Sequence, residues 1–183
     1  FVELDSSRQN LLGGPRIRQR LKWDWEATRA RADDGAAAAE GVVMNWVRGV
    51  DSRPFFWFVN LVECHSPYIP PTPHHRASPL TRLRVADEAH RFLTFEAITR
   101  ACLGNVSVPR PALERMRHMY AGSLRYADGW IERILGALAD AGVLDDTLVI
   151  ACSDHGENFG EAGLMAHMLS VDDRLLRVPF IVS

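Results

Sequence analysis

The sequence predicts an α/β fold in which helices flank a mostly parallel sheet. Three apolar runs, at residues 55–62, 147–152 and 177–182, have the length of strands and are bounded by turn residues or prolines. Unbroken apolar runs of this length are typical of strands that are buried on both faces of a parallel sheet. A long helical pattern separates the first run from the second. This alternation of strand and helix indicates the α/β class.

The first region of the chain, residues 1–50, is rich in arginine and carries two helical signals. Residues 1–35 are polar, and we interpret them as a loop that contains a short basic helix at 17–28. Asp34 is in position to cap a second helix over residues 36–47, because a side-chain carboxylate can accept the unpaired backbone N–H groups of a first turn. Residues 1–50 are therefore predicted to be a loop and helix region that precedes the core.

The second region, residues 54–183, holds the predicted strands together with a loop and two further helices. The loop at 64–79 contains five prolines and three histidines, so its backbone is restricted to extended and turn conformations. Residues 86–103 are predicted to form one helix. Apolar residues then recur at steps of three and four over 113–138, which predicts a long amphipathic helix.

Composition and charge exclude several classes of partner. The chain has 183 residues and a formal net charge of −2, and it carries no basic block that would favour nucleic acid or an anionic membrane. No uncharged apolar run approaches the roughly 20 residues that span a bilayer. Cys64, Cys102 and Cys152 are odd in number and fit no zinc or disulfide spacing, so we expect free thiols. Localisation stays open; the free thiols and the lack of a signal-peptide pattern favour the cytoplasm.

Polar residues follow two of the predicted strands directly. The string SDHGE occupies residues 153–157, and the string ECH occupies 63–65. In open parallel sheets ligands bind beyond the carboxyl ends of the strands. Asp154 offers a hard anionic oxygen and His155 a neutral nitrogen, and a tight turn at Gly156 lets both face one divalent cation. An Asp-His pair at the start of a loop is also a common cap or solvated turn, so these residues alone leave both interpretations open.

The order of several motifs along the chain is more specific than any one of them. From residue 120 onwards they are a Tyr-x5-Tyr-x-Asp helix, the strand entry LDDTLVI, the turn SDHGE, a downstream histidine and the strand RVPFIV. Residues 54–71 read PFFWFVNLVECHSPYIPP. Both stretches resemble the central segment of sulfatases and of related phosphonate or phosphate ester hydrolases of the alkaline phosphatase superfamily. The resemblance implies an alkaline phosphatase-like domain of which residues 1–183 are the central part.

The resemblance also implies a metal site and two catalytic histidines. Asp154 and His155 match ligands of the active-site divalent metal. Calcium is the usual ion of sulfatases, but many of them have asparagine at the second position, and the imidazole of His155 leaves manganese or zinc open. His65 and His167 match residues that contact the sulfuryl or phosphoryl group, and His65 would help to protonate the leaving oxygen. Glu157 belongs to the motif, and its expected role is hydrogen bonding behind the ligands or none.

The family's nucleophile segment is not found in this sequence. Sulfatases carry it as Cys-x-Pro-x-Arg or Ser-x-Pro-x-Arg and convert its first residue to formylglycine; none of the three cysteines here stands in such a string. The acidic ligands of the family's N-terminal part and its C-terminal subdomain are absent as well. A fragment of a larger gene product is our preferred interpretation; a chain that pairs with another carrying the nucleophile and a degenerate product are the alternatives.

The expected function is that of a sulfatase segment, which hydrolyses a small sulfate ester once the missing N-terminal part of the domain is supplied. A phosphodiesterase, a phosphonate hydrolase or a phosphoryl transferase of the same superfamily is the close alternative. The third possibility, from another class, is a catalytically inactive binding unit.

Overall fold

The structure, a computed structural model, describes residues 4–5, 16–29, 33, 35–50 and 53–183. The helices of this part are α1 (Arg16–Arg29), α2 (Ala36–Val47), α3 (Pro79–Phe92), α4 (Phe95–Cys102), α5 (Arg110–Asp140) and α6 (Asp173–Leu176). The strands are β1 (Leu4–Asp5), β2 (Val59–Asn60), β3 (Ile150–Cys152), β4 (Asn158–Phe159), β5 (Met165–Ala166) and β6 (Phe180–Val182). None of the helices described is long and apolar enough to cross a membrane.

The helices predicted in the first region are confirmed, and the cap of α2 comes from residues that the sequence did not identify. Asp34 lies outside the described residues. The Oδ1 atom of Asp33 accepts a hydrogen bond from the Gly35 N–H at 2.8 Å, and the Oε1 atom of Glu63 accepts one from the Ala36 N–H at 2.7 Å. Because Glu63 follows β2, this bond joins the start of α2 to the loop that contains His65.

The single helix predicted at 86–103 is wrong, because this stretch contains two helices. Helix α3 begins earlier, where Ser78 caps it by accepting from the Thr81 N–H and Pro79 occupies its first turn. Thr94 then caps α4 by accepting from the Ala97 N–H, which starts a new helix axis. The long helix α5 is confirmed and runs without a break.

The core lies where α3, α4 and α5 meet the hairpin of β4 and β5 and the proline-rich loop. Each of these parts contributes buried apolar side chains. Burial of each large one stabilises the fold by about 1.5–3 kcal/mol. The buried members are Tyr68, Val85, Ile98, Ala101, Met116, Met119, Phe159, Met165 and Ala166. The candidate site lies directly beside this cluster, because Tyr68 and the β4–β5 hairpin belong to both.

A mostly parallel sheet is not confirmed. The described strands form three separate pairs: β1 with β2 is parallel, whereas β3 with β6 and β4 with β5 are antiparallel. The pair β3–β6 was expected to be buried, yet Ile150 is 54% exposed and Phe180 is 71% exposed. The burial predicted from the apolar composition of these two strands is wrong, because their residues are exposed or only half-buried among the described elements. The α/β class holds, with short strands among long helices.

Tyr126 and Asp128, the last two residues of the Tyr-x5-Tyr-x-Asp pattern, differ in their surroundings on α5. The Tyr126 hydroxyl donates to Asp33, and its ring packs against Trp130 at 5.8 Å between centroids. Asp128 is exposed. Tyr126 therefore ties α5 to the start of α2.

Candidate active site

The turn that follows β3 is held against the backbone of α6. The Gly156 N–H donates to the Leu175 carbonyl at 2.9 Å. A Cβ atom placed on Gly156 would lie 1.9 Å from the carbonyl oxygen of Arg174, far inside van der Waals contact. Only glycine fits this close approach of two backbone segments, so the glycine of the motif fixes where its neighbours lie.

Asp154 and His155 present two donor atoms side by side on this turn. The Asp154 side chain is 87% exposed, and its Oδ2 atom lies 3.7 Å from Nε2 of His155. Nδ1 of His155 lies 2.8 Å from the Gly156 carbonyl oxygen, so this nitrogen carries the proton and donates. Nε2 of the neutral ring then keeps its lone pair next to the carboxylate. Metal-binding histidines are typically oriented in this way, by a carbonyl behind the ring.

This pair fits part of a metal site. A carboxylate oxygen and an imidazole nitrogen suit a divalent ion, but such an ion takes about four or more ligands. Within the residues that the structure describes, no group of three or more histidine, cysteine, aspartate or glutamate side chains could hold a metal ion. The remaining ligands would therefore have to come from elsewhere, as the sequence comparison with sulfatases implied.

The two predicted catalytic histidines meet at the same place. The ring of His167, which follows β5, stacks on the ring of His155 with 4.1 Å between centroids. The ring of His65, from the proline-rich loop, approaches His167 edge-on at 5.4 Å. The structure thus brings together all four residues, Asp154 included, that the sequence singled out from three separate segments.

Glu157 is the buried carboxylate behind this cluster. Its side chain is only 5% exposed. Oε1 of Glu157 lies 3.2 Å from Nδ1 of His167, and Oε2 accepts a hydrogen bond from the Tyr68 hydroxyl at 2.8 Å. The hydrogen bond to Glu157 raises the pKa of His167 above its ordinary value, against the partial burial that lowers it.

Tyr68 is the participant that the sequence did not reveal. It lies in the proline-rich loop with a φ of 58°, in the left-handed region, and its side chain is fully buried. Its ring packs against Tyr120 and Phe159 at 5.6 and 5.5 Å. Burial and the neighbouring Glu157 raise the pKa of Tyr68 well above its usual value, so the hydroxyl remains a donor. The sequence shows a tyrosine three residues after His65, but it does not show that this side chain points towards Glu157.

Cys64 does not have the properties of a nucleophile. Burial, together with the nearby charge of Glu63, raises the pKa of its thiol to about 11. The reactive form of cysteine is the thiolate, which is scarce at neutral pH in such a setting. This agrees with the absence of a nucleophile motif around it.

Comparisons with known proteins match most of this chain to one family. The sulfatase family model matches residues 25–183. A multifunctional alkaline phosphatase superfamily protein, PehA, from Trinickia caryophylli is 23% identical over 157 residues, which are 76% of this chain and 30% of that protein. An arylsulfatase from Clostridium perfringens is 28% identical over 138 residues, 72% of this chain and 28% of that enzyme.

A choline-sulfatase from Rhizobium meliloti is 33% identical over 79 residues, covering 43% of this chain and 15% of that enzyme. The chain therefore spans less than a third of the length of these curated relatives. Because the family model extends over most of the sequence, including every residue of the site just described, the chain belongs to the sulfatase family.

Proposed function

We propose that this chain is the central segment of a metal-dependent sulfatase, which hydrolyses a sulfate monoester when the rest of its domain is present. The observation that carries the proposal is the convergence of His65, His155 and His167. The His167 ring lies between the other two, 4.1 Å from the His155 ring and 5.4 Å from the His65 ring, centroid to centroid. A cluster of partly exposed imidazole rings beside a carboxylate suits the binding of an anionic group that is transferred at this point.

The imidazoles of His65 and His167 supply the local chemistry. A sulfate ester gains charge on its leaving oxygen as the S–O bond breaks, and a ring N–H that points at this oxygen can donate a proton to it. His65 is exposed, and its Nδ1 lies 3.1 Å from the Ser66 carbonyl oxygen, which orients the ring and leaves Nε2 for the substrate. Because Nδ1–H is donated to this carbonyl, the protonated form of the ring is the one that can give a proton from Nε2 to the leaving oxygen. His167 lies between His65 and the Asp154 pair, where it would contact the sulfuryl oxygens.

Asp154 and His155 would hold one divalent ion, and that ion would stabilise charge on the transferring group. Calcium is the ion expected from the family. The neutral Nε2 of His155 favours manganese or zinc by comparison with an all-oxygen site. We therefore propose metal dependence and leave the choice among these three ions to measurement.

The nucleophile is proposed to come from a segment that this sequence does not contain. The expected residue is a formylglycine, whose hydrate attacks sulfur and splits hydrolysis into two steps. We propose that a longer gene product contains this chain. That longer product should be active, whereas residues 1–183 alone should not be.

The test is the turnover of an aryl sulfate and of an aryl phosphate by both proteins, with calcium, manganese and zinc supplied in turn. We expect the longer product to hydrolyse the sulfate, and its His65→Ala variant to lose about a hundredfold or more in kcat, as is usual when a proton donor is removed. Phe56→Ser in the same protein is the control, because this side chain is exposed and no role in the chemistry is proposed for it. Preference for the phosphate would favour the phosphoryl-transfer alternative, and turnover of neither ester would end the enzyme proposal.

A further inference from the structure

We infer that Glu157 is a positioning residue for His167, which fixes both the tautomer and the orientation of that ring. Glu157 was not assigned a definite role by the motif. In the structure both of its oxygens approach the same imidazole nitrogen, at 3.2 and 3.3 Å from Nδ1 of His167. A carboxylate can only accept, so the neutral ring must carry its proton on Nδ1.

Glu157 is itself held in place from the other side. The Tyr68 hydroxyl donates to its Oε2 atom at 2.8 Å. The Tyr68 ring is wedged between Tyr120 and Phe159 in the core. Since the Glu157 side chain is 5% exposed and lies between a buried donor and the histidine, it has little freedom to rotate. The core therefore determines the position of the Glu157 carboxylate, and the carboxylate determines the tautomer and orientation of the His167 ring.

The consequence for the site concerns the other ring nitrogen. With Nδ1–H donated to Glu157, Nε2 of His167 is the ring nitrogen available to a ligand in the site. It holds the lone pair in the neutral ring, and it carries the N–H that can contact sulfuryl oxygens once the ring is protonated. The stacking on His155 at 4.1 Å fixes the ring plane at the same time. Free imidazole side chains can choose either tautomer and rotate about two bonds, and both freedoms are removed here. Removing them in advance lowers the entropic cost of reaching the reactive geometry.

Two competing roles for Glu157 make different predictions. A metal ligand would need at least one oxygen directed away from His167 and Tyr68, whereas both are engaged with these partners. A purely structural carboxylate would stabilise the hairpin without setting the tautomer. The inference deepens the proposed function, on which it rests for the use made of His167, but the state of the ring can be measured without turnover.

The test is the tautomer of His167, read from two-bond ¹⁵N–¹H correlations of the imidazole at a pH where the ring is neutral. The His167→Gln variant assigns the signal. We expect the wild-type chain to show the Nδ1–H form and Glu157→Ala to shift toward the Nε2–H form. Glu161→Gln is the matched control: its carboxylate bonds Arg117 and the Phe159 N–H instead of His167, so the tautomer should not change.

A wild-type ring in the Nε2–H form would overturn the inference even if Glu157→Ala failed to fold. An Nδ1–H form that persists in a folded Glu157→Ala variant would overturn it as well. In the longer gene product, Glu157→Gln should lower kcat by about tenfold to a hundredfold with KM little changed, the range seen for residues that orient a reacting or metal-binding group. Turnover with the wrong tautomer refutes the positioning role alone, whereas the correct tautomer without turnover refutes only the proposed function.

Discussion

The candidate site has two arms that differ in how they are held. In the outer arm Asp154 is exposed and His155 is half-buried, and among the described residues their hydrogen bonds stay within their own turn. The inner arm, Tyr68, Glu157 and His167, is a hydrogen-bonded chain that starts in the core and ends at the stacked imidazoles. The inner arm is a continuous chain of hydrogen bonds, whereas the outer arm places Asp154 Oδ2 and His155 Nε2 side by side as donor atoms that could bind a metal ion.

The difference shows how stability and function divide between neighbouring residues. A residue of the inner arm satisfies buried polar atoms, so its loss should lower the free energy of unfolding as well as activity. In the outer arm the Asp154 side chain is 87% exposed, so its loss should affect metal binding alone. Loss of His155 should affect metal binding and also remove the ring that stacks on His167. Glu157 follows Asp154 by only three positions, yet we expect their variants to behave as different classes.

The largest effect should come from Gly156, which belongs to the turn that carries both arms. In Gly156→Ala the new methyl group meets the Arg174 carbonyl at 1.9 Å, and backbone cannot move aside as a side chain would. We expect a loss of at least about 3 kcal/mol in the free energy of unfolding, at the upper end for an overpacked site. Denaturant titration of the chain measures it.

Arg174→Ala is the control for that prediction. It removes the exposed side chain, which is paired with Asp172 on the surface, and leaves in place the backbone carbonyl that contacts Gly156. Its unfolding midpoint should be close to that of the wild type. A Gly156→Ala variant as stable as Arg174→Ala would show that the turn is not held by the close approach to α6.

An intermediate effect is expected from Tyr68→Phe, which removes one hydroxyl and no ring. The Glu157 carboxylate then keeps its charge in a buried place with one donor fewer, at a cost of about 1–3 kcal/mol in the free energy of unfolding. Tyr120→Phe is the matched variant, because its ring belongs to the same aromatic group while its hydroxyl makes no hydrogen bond to Glu157 among the described residues. Equal losses of unfolding free energy in Tyr68→Phe and Tyr120→Phe would contradict the stabilising role of the hydrogen bond from Tyr68 to Glu157.

The sequence predicted best where one short segment determines the structure. The apolar repeat of α5 and the motif around Asp154 depend on local spacing, and the structure has the helix and brings the motif next to His65 and His167. Their catalytic and metal-binding roles stay predictions. The break between α3 and α4 could have been found from Thr94, whose cap competes with helix continuation.

Other features depend on contacts between segments that are distant in the chain. The hydroxyl of Tyr68 reaches Glu157 because of the turn geometry of the proline-rich loop. This geometry includes a left-handed φ at Tyr68, which the residue type does not predict. The sheet was predicted from the apolar runs that contain β3 and β6, but their partners depend on which surfaces other segments cover. Apolar composition records that a strand prefers burial; it does not identify what buries it.

The most direct test of the two-arm account is the metal content of Asp154→Ala and His155→Ala in the longer gene product, with Glu157→Gln beside them. We predict that both outer-arm variants lose bound metal. The free energy of unfolding of Asp154→Ala in the chain should stay within about 0.5 kcal/mol of the wild type, as for other exposed side chains. Glu157→Gln should keep its metal. Unchanged metal occupancy in both outer-arm variants would contradict the assignment of Asp154 and His155 as ligands.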